Sequence, residues 1–527
     1  MKVVIVGGVA GGASAAARIR RLDEHAQIIM IERSGYVSYA NCGLPYYVGG
    51  VIKEQEELTL QTPESFWDRF RMDVRVRQEV TAINPAEKTV TVRALDSGKS
   101  YTETYDKLLL APGAKPTVPA LSGVSSERVF TLRTVEDTLR IRHFVEAQKP
   151  KTAVLAGGGF IGLEMAENLA EMGVSVTIVQ RPKQLLAPLD ADMASFVHAE
   201  MRRHGVVLRL GETVTGFRQD GDSVLTLLEG SEPLHSDMVL LAIGVTPDTH
   251  LAKDAGLRLG IRGSIAVNER METSVPDIYA VGDAVEVTHF VTRQKTLISL
   301  AGPANKQGRI AADNICGGNS RFHGSQGSSV LKLFGLTAAS TGINEKAAQT
   351  AGIAYDKVVL FPASHATYYP GARSMAMKVL YEKESLRLLG AQIVGGDGVD
   401  KRIDVLATAI RAKMTALELT ELDLSYAPPY SSAKDPVNMA GFMIEDLESG
   451  KVRQFHWSDV EGLPRDGSAT LLDVRTEGEY RRGHLNGFRN IPLDDLREHL
   501  DELDRGKPVY VNCQTGLRSY LACRLLT

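Results

Sequence analysis

The sequence predicts a mixed α/β protein assembled around two strand–glycine turn–helix–strand units, and three observations carry that prediction. First, the apolar run Lys2–Val6 leads into Gly7-Gly8-Val9-Ala10-Gly11-Gly12 and an Ala-rich helix, ASAAARIRRL, and a second strand, Gln27–Ile31, ends at Glu32. Second, the pattern returns at Thr152–Arg181, where Gly157, Gly159 and Gly162 keep full GxGxxG spacing before the strand VSVTIV. Third, two further strands end in tight turns, YDKLLLAPG at Tyr105–Gly113 and TSVPDIYAVGD at Thr273–Asp283. A continuously apolar strand belongs in a parallel sheet covered on both faces. A glycine turn that opens a helix brings backbone N–H groups to a pyrophosphate.

At 527 residues the chain is too long for one core, and roughly three to four domains are expected. A hydrophobic content of 43% and a charged content of 24% are ordinary for globular proteins. The net charge of −4, with Lys and Arg spread along the chain, argues against a nucleic-acid partner. Four cysteines, Cys42, Cys316, Cys513 and Cys523, are too few and too scattered for a disulfide scaffold, which fits a reducing compartment. The strand at the N-terminus leaves no room for a signal peptide, and no apolar run reaches transmembrane length. A cytoplasmic protein without a membrane partner or a metal site is expected.

In the first unit the acid stands about 20 residues beyond the turn, where a carboxylate accepts from ribose hydroxyls. Val9 occupies the middle glycine position, so the turn departs from the full motif. In the second unit the glycines are complete but the acid is missing, and Gln180-Arg181 stand in its place. A carboxylate there would exclude a 2′-phosphate and Arg181 could accept one, so NADH and NADPH both stay open. Two such units imply two nucleotides, and in chains of this kind the unit at the extreme N-terminus is typically the flavin site and the second the nicotinamide site.

Between these units lies Ser38-Tyr39-Ala40-Asn41-Cys42-Gly43-Leu44-Pro45-Tyr46-Tyr47, which holds one cysteine with no second cysteine nearby. Polar donors and a helix N-terminus can lower a thiol pKa and keep a thiolate poised for attack. A free cysteine can equally be inert core material, although the Gly and Pro flanks argue against a regular core strand.

Residues 326–445 read as a third region, with strands around Val330–Leu333 and Ala376–Tyr381 and the helical segment KRIDVLATAIRAKM. It carries two tyrosine motifs, HATYYPG at His365–Gly371 and LSYAPPYSSAKDPVNMAG at Leu424–Gly441. After Asp446–Gly450 the character changes again. Phe455–Leu463 is followed by LLDVR at Leu471–Arg475, GHL at Gly483–Leu485, NIPL at Asn490–Leu493, and Pro508–Asn512 running into CQTGLRS at Cys513–Ser519.

Together these motifs resemble the flavoprotein disulfide reductases. Through SYANCGLPYYVGG they resemble the single-cysteine branch, which includes coenzyme A disulfide reductase, NADH peroxidase and NADH oxidase. The C-terminal series resembles a rhodanese. The resemblance implies an FAD-binding domain over 1–115 and 245–325 and an NAD(P)H-binding domain over 116–244. It further implies an α+β dimerisation domain over 326–445, a linker over 446–458 and a rhodanese-like α/β domain over 459–527. Both nucleotide domains would be Rossmann-like. The rhodanese region stops just after its helix begins, so it is expected to be C-terminally incomplete.

For the site residues the resemblance implies Cys42 as the redox thiol and Cys513 as the sulfur carrier. Amides at the head of the helix after Cys513 would cradle a thiolate or persulfide. Tyr368 and Tyr426 would reach the partner's active site in a homodimer. Cofactor contacts would come from Gly7, Gly8, Ala10, Gly11, Glu32, Arg33, Val80, Ala111, Gly113 and Asp283. Gly157, Gly159, Phe160, Ile161, Gly162 and Gln180 would add to them. Ser14, Arg18, Arg21, Ser38, Asn41 and Arg71 would contact coenzyme A as substrate or bound ligand. Cys523 and Cys316 read as structural.

The implied activity is NAD(P)H-dependent reduction, through FAD and Cys42, of an S–S bond in coenzyme A persulfide, coenzyme A disulfide or polysulfide. The rhodanese would handle sulfane sulfur. Two rivals stand beside it: an NADH oxidase or peroxidase working through a cysteine sulfenic acid, and a non-catalytic redox sensor. The paired tyrosines and the rhodanese argue against the first, and two nucleotide sites against the second.

Overall fold

The computed structural model describes residues 1–527 and divides into two compact units, Met1–Leu336 and Thr337–Thr527. No helix is long and apolar enough to cross a membrane, and all four cysteines are free.

The first unit holds two five-stranded parallel sheets, alike in strand order except for one edge strand, which comes last in chain order in one sheet and first in the other. One runs Ile278–Ala280, Lys107–Leu110, Lys2–Val6, Gln27–Ile31, Asp73–Arg75. The other runs Val129–Thr131, Met238–Leu241, Thr152–Ala156, Ser175–Gln180, Val207–Leu210. In each sheet the strand before the glycine turn is central. The turn therefore opens at the carboxyl edge between two neighbours, the position where open α/β sheets take their ligands. Val3, Val4 and Ile5 are wholly buried, as a strand covered on both faces requires.

The Ala-rich character of the first helix, Ala10–Leu22, has a packing cause. It lies against the helix Ala301–Ile315 through Gly11, Ala15 and Ala16 on one side and Gly308, Ala311 and Ala312 on the other. A Cβ at Gly308 would stand only 2.3 Å from the Gly11 carbonyl oxygen, so the two backbones meet where side chains are smallest.

The thiol stretch forms a 3-10 turn, Asn41–Gly43, and one short helix, Leu44–Val48. That helix docks on two others, Val135–Gln148 and Phe160–Glu171. A Cβ at Gly49 would lie 2.0 Å from Asn168 Oδ1, and Arg142 donates from Nη1 to the Tyr47 carbonyl at 2.5 Å.

In the second unit an antiparallel sheet orders Leu336–Gly342, Leu388–Gly395, Met375–Glu382 and Tyr355–Leu360, with helices Val399–Arg411 and Pro436–Glu448. A smaller parallel sheet then follows, Arg489–Asn490, Thr470–Asp473, Val509–Asn512. Leu472, Val474, Ile491, Leu496, Val511 and Ala522 form its core beneath the last helix, Leu517–Leu526.

Candidate functional site

At the first turn Gly7 adopts φ +99°, and a Cβ there would meet the Ala111 carbonyl oxygen at 2.1 Å. Only glycine permits both that conformation and that approach. The Gly8 amide donates to Glu32 Oε2 at 2.8 Å, and Ser34 N–H donates to Oε1 at 2.8 Å. Glu32 is thereby held at the strand end. Burial raises its pKa, and the two backbone donors oppose the rise.

The second turn repeats the arrangement with an amide in place of the acid. The Gly158 N–H donates to Gln180 Oε1 at 3.0 Å. Gly157, at φ +115°, approaches the Ala242 carbonyl, and Gly162 packs on the Gly157 carbonyl. Phe160 and Ile161 open the helix behind Gly159. Arg181 is exposed.

Around the first turn most of the expected cofactor residues converge. Ala111 N–H donates to the Val6 carbonyl at 2.8 Å, and the Gly113 carbonyl accepts from Asp248 N–H at 3.0 Å. Arg33 pairs with Asp248 at 2.8 Å. Val80 is buried in the strand Gln78–Asn84, whose first amide donates to the Glu32 carbonyl at 3.0 Å. Asp283 is paired with Arg133 at 2.8 Å. Arg133 has no motif in the sequence. The strand Val129–Thr131 and the helix Val135–Gln148 bring it there. The cradle of close glycine backbones, a ribose-height carboxylate and an acid at the turn Gly282-Asp283 fits a dinucleotide such as FAD.

Cys42 is exposed, yet the protein around the sulfur is dense enough that burial raises its thiol pKa. Glu164 raises it further, Arg133 lowers it and Asp283 raises it. The sequence suggested that flanking polar groups and a helix N-terminus would lower this pKa, and the structure corrects that. The helix after Cys42 spans only Leu44–Val48, and two nearby carboxylates outweigh the one cation.

Glu164 escaped the sequence reading, because it faces the thiol only once Leu44–Val48 docks on its helix. Its carboxyl is pushed up to about 7, by burial first and by the Glu167 carboxylate second; a hydrogen bond to the Tyr46 phenol opposes. Burial and Glu164 raise Tyr46 to about 12.

Of the residues proposed to contact coenzyme A, Ser14 donates to Asn305 Oδ1 at 2.6 Å and Arg18 pairs with Asp313 at 2.7 Å. Ser38, at φ 46°, donates its amide to the Gly8 carbonyl at 2.7 Å, linking the thiol stretch to the first turn. Asn41 begins the turn that holds Cys42. Arg21 is exposed at the end of its helix, and Arg71 is exposed at a separate helix end.

In the second unit Tyr368 and Tyr426 stand together, hydroxyl to hydroxyl at 2.7 Å, and are 73% and 47% exposed. The two motifs are tied by Arg402, which is almost wholly buried. Its Nη2 donates to the Ser364 carbonyl at 3.0 Å, to Ser431 Oγ at 3.1 Å and to Asp435 Oδ2 at 3.1 Å.

The second thiol, Cys513, receives the Gly516 N–H at 3.1 Å and lies 3.4 Å from Ser519 Oγ. Gly516, at φ +102°, turns that amide inward ahead of the last helix. Arg518 makes a two-pronged pair with Glu479 at 2.7 and 2.8 Å, and Arg475 pairs with Asp473 at 2.7 Å. Arg475, Glu479, Arg482, Gly483 and Gln514 line a pocket of about 480 Å³ beside the loop. The loop motif drew attention to Cys513, but nothing in the sequence marked Arg482 or Glu479. Cys523 and Cys316 pack against apolar clusters, Cys523 against the one that Cys513 also joins.

Comparison with known proteins matches residues 1–308 to the pyridine nucleotide-disulphide oxidoreductase family. Residues 329–436 match the dimerisation domain of that family, and residues 457–527 match the rhodanese-like domain. A coenzyme A disulfide reductase of Staphylococcus haemolyticus is 36% identical over 447 residues, covering 85% of this chain and all of the relative. The crystal structure of reduced CoADR-RHD from Bacillus anthracis superposes with a TM-score of 0.97 at 49% identity, covering 100% of this chain and 94% of that one. An NAD-dependent persulfide reductase from A. fulgidus superposes with a TM-score of 0.93 at 39% identity, covering 100% and 96%.

Proposed function

Since the chain belongs to the pyridine nucleotide-disulphide oxidoreductase family and carries that family's dimerisation domain and a rhodanese-like domain, we propose that it uses NAD(P)H to reduce S–S bonds of coenzyme A persulfide, coenzyme A disulfide or polysulfide. The observation that carries the proposal is a pair of free thiols on one chain, exposed Cys42 on the stretch that Ser38 ties to the first glycine turn and Cys513 with the Gly516 amide on its sulfur. The relatives named coenzyme A disulfide reductase and persulfide reductase support the same bond type.

FAD, held by Gly7, Gly8, Ala10, Gly11, Glu32 and Asp283 with Arg33, Val80, Ala111 and Gly113, would supply Cys42 with the electron pair that NAD(P)H brings to the second turn. Glu32 occupies the Gly8 amide and orients the first turn. Arg133 fixes the Asp283 carboxylate. Gln180 holds the second turn without adding a negative charge, and Arg181 is exposed beside it, so both NADH and NADPH stay open as the hydride donor. The Cys42 thiolate attacks the substrate S–S bond, forms a mixed disulfide or persulfide on Cys42 and expels a thiolate or hydrosulfide. Two electrons and two protons per turnover then restore the Cys42 thiol and release the second sulfur fragment. Tyr368 and Tyr426, from the partner in a homodimer, donate the proton that the leaving sulfur takes. In the loop, Gly516 N–H stabilises a Cys513 thiolate or persulfide. Four free thiols fit a reducing, cytoplasmic setting.

Steady-state oxidation of NADH and of NADPH with coenzyme A persulfide and coenzyme A disulfide, measured against oxygen and hydrogen peroxide, tests the proposal. Faster turnover of the sulfur substrates is expected. Turnover that is fastest with oxygen or peroxide would replace it with the sulfenic-acid reading.

A further inference from the structure

Arg402 stands in the first turn of the helix Val399–Arg411 and is 1% exposed. Taking a guanidinium out of water is costly, and apolar side chains of similar volume often hold a core as well as a buried ion pair does. What arginine adds is geometry, a planar fork of N–H donors with fixed directions. Here the fork reaches three stretches of chain. Nη1 donates to the Gly398 carbonyl at 3.1 Å. Nη2 donates to the Ser364 carbonyl, next to the first tyrosine motif, at 3.0 Å. In the second motif it donates to the Tyr430 carbonyl at 3.3 Å and to Ser431 Oγ at 3.1 Å. Nε and Nη2 both donate to Asp435 Oδ2, at 3.2 and 3.1 Å.

The acid is held as closely. Ser431 donates from Oγ to Asp435 Oδ2 at 2.6 Å, and Val437 N–H donates to Oδ1 at 3.0 Å, so Asp435 also caps the helix Pro436–Glu448. Lys401, one residue before Arg402, donates to the Ser425 carbonyl at 3.4 Å, directly ahead of Tyr426. A Cβ at Gly398 would stand 2.0 Å from Arg402 Nη1, so only glycine lets the turn close on the guanidinium. The two motifs also share a backbone bond, Ala366 N–H to the Ser431 carbonyl at 2.9 Å. Tyr368 and Tyr426 project from these loops as exposed rings, so little packing holds them. The backbone beneath them sets where their hydroxyls stand.

We propose that Arg402, together with Asp435, is a positioning residue for the tyrosine pair: it fixes the spacing of the two loops so that the Tyr368 and Tyr426 hydroxyls meet and act as one proton donor. This rests on the role given to the tyrosines in the preceding section. Arg402 is buried beneath the loops and acts through the two phenols alone. A lysine at this position would keep the charge and lose the fork, since one ammonium cannot serve acceptors on three separate stretches in fixed directions.

The test is a cycle of variants of the holoenzyme, read by stopped flow with coenzyme A disulfide. Arg402→Lys should leave flavin reduction by NADH as it is and slow the disulfide half-reaction about tenfold, less than the ~100-fold expected when a phenol itself is lost. Added to the Tyr368→Phe/Tyr426→Phe double variant, Arg402→Lys should slow that half-reaction no further, because residues that act through one another are not additive. Asp435→Asn is the second variant, should Arg402→Lys fold poorly. It keeps an oxygen for the Val437 cap, removes the carboxylate that two guanidinium nitrogens share, and should follow the same pattern. An unchanged disulfide half-reaction in both single variants, equal slowing of both half-reactions, or full additivity with the tyrosine variants would overturn the positioning role. If the tyrosine double variant alone kept the wild-type half-reaction, the tyrosine reading would fail and the positioning role with it. A failure at Arg402 alone would leave the tyrosine reading standing.

Discussion

Around Cys513 the protein supplies a donor to the sulfur, the Gly516 amide at 3.1 Å, from a glycine held at φ +102° for that purpose. Around Cys42 no such donor reaches the sulfur, and burial with the Glu164 and Asp283 carboxylates raises the pKa against Arg133 alone. Both thiols stand on segments that follow or adjoin a parallel sheet, yet only the Cys513 sulfur is given a backbone donor. Under the proposed division of roles, a sulfur carrier gains from a fixed backbone donor at its sulfur. A thiol that cycles through S–S bonds must release its charge at each turnover, and a surrounding that bound the thiolate tightly would slow that step.

The widest separation of the two sites is by serine substitution. Cys42→Ser should lower NAD(P)H-dependent reduction of every S–S substrate by roughly three orders of magnitude or more, as loss of a nucleophile does, with FAD still bound and still reduced by NADH. Cys513→Ser should retain turnover of free coenzyme A persulfide and lose sulfur uptake from thiosulfate or a longer polysulfide. Near-wild-type reduction by Cys42→Ser, or unaltered rates on all donors for Cys513→Ser, would remove the division of labour.

A smaller effect should follow at the tyrosines. If Cys42 draws its proton donor from a partner subunit, Tyr368→Phe or Tyr426→Phe should slow the disulfide half-reaction by about 100-fold, leaving flavin reduction as it was. The two hydroxyls already share a hydrogen bond at 2.7 Å, so either single variant unbalances the pair. Stopped-flow traces with both half-reactions unchanged in the double variant would reduce these residues to surface packing.

The sequence made the two sites legible to different depths for a physical reason. The glycine turns, Glu32 and the CQTGLRS loop are local, since each function is met by residues a few positions apart. So the strands Lys2–Val6 and Gln27–Ile31 and the helix behind each turn were readable directly. What surrounds Cys42 is assembled from distant segments: Arg133 from beyond the first sheet and Glu164 from the helix that follows the second glycine turn. Neither carries a pattern in the chain, and Glu164 faces the thiol because Gly49 lets the helix Leu44–Val48 close on Asn168 of its helix. Gln180 lay between these cases. It read as a missing acid, and its structural role, holding the Gly158 amide, is the one Glu32 plays for Gly8.

Gly516→Ala tests the carrier side alone. No neighbouring atom lies within 4 Å of a Cβ at that position, so the cost is conformational, an L-residue forced to a positive φ. The amide should swing away from Cys513, with sulfur uptake falling about tenfold and reduction of free coenzyme A persulfide holding near wild type. Equal loss in both assays would mean that the loop strain reaches beyond Cys513.

The smallest effect is expected at Glu164 and bears on the Cys42 side. Its carboxyl, raised to about 7, is neutral below that pH and ionised above it. As pH rises through 7 the new charge pushes the Cys42 pKa further up, which stretches the approach to the thiolate over a wider pH range. Glu164→Gln keeps a hydrogen-bond partner for Tyr46 and deletes the charge. Iodoacetamide alkylation of Cys42 should then reach its half-maximal rate about half to one pH unit lower. Stability carries the same sign. The native carboxyl keeps its proton between about 4.5 and 7, while the unfolded one has lost it, so its contribution is full below that window and lost as pH rises through it. Glu164→Gln should therefore raise the urea midpoint at pH 8 and leave it close to wild type at pH 4.5. Cys513 is the internal reference, because its alkylation profile should not move. A shift at both thiols would point to a change in the whole fold, and a shift at neither would show that Glu164 does not act on Cys42.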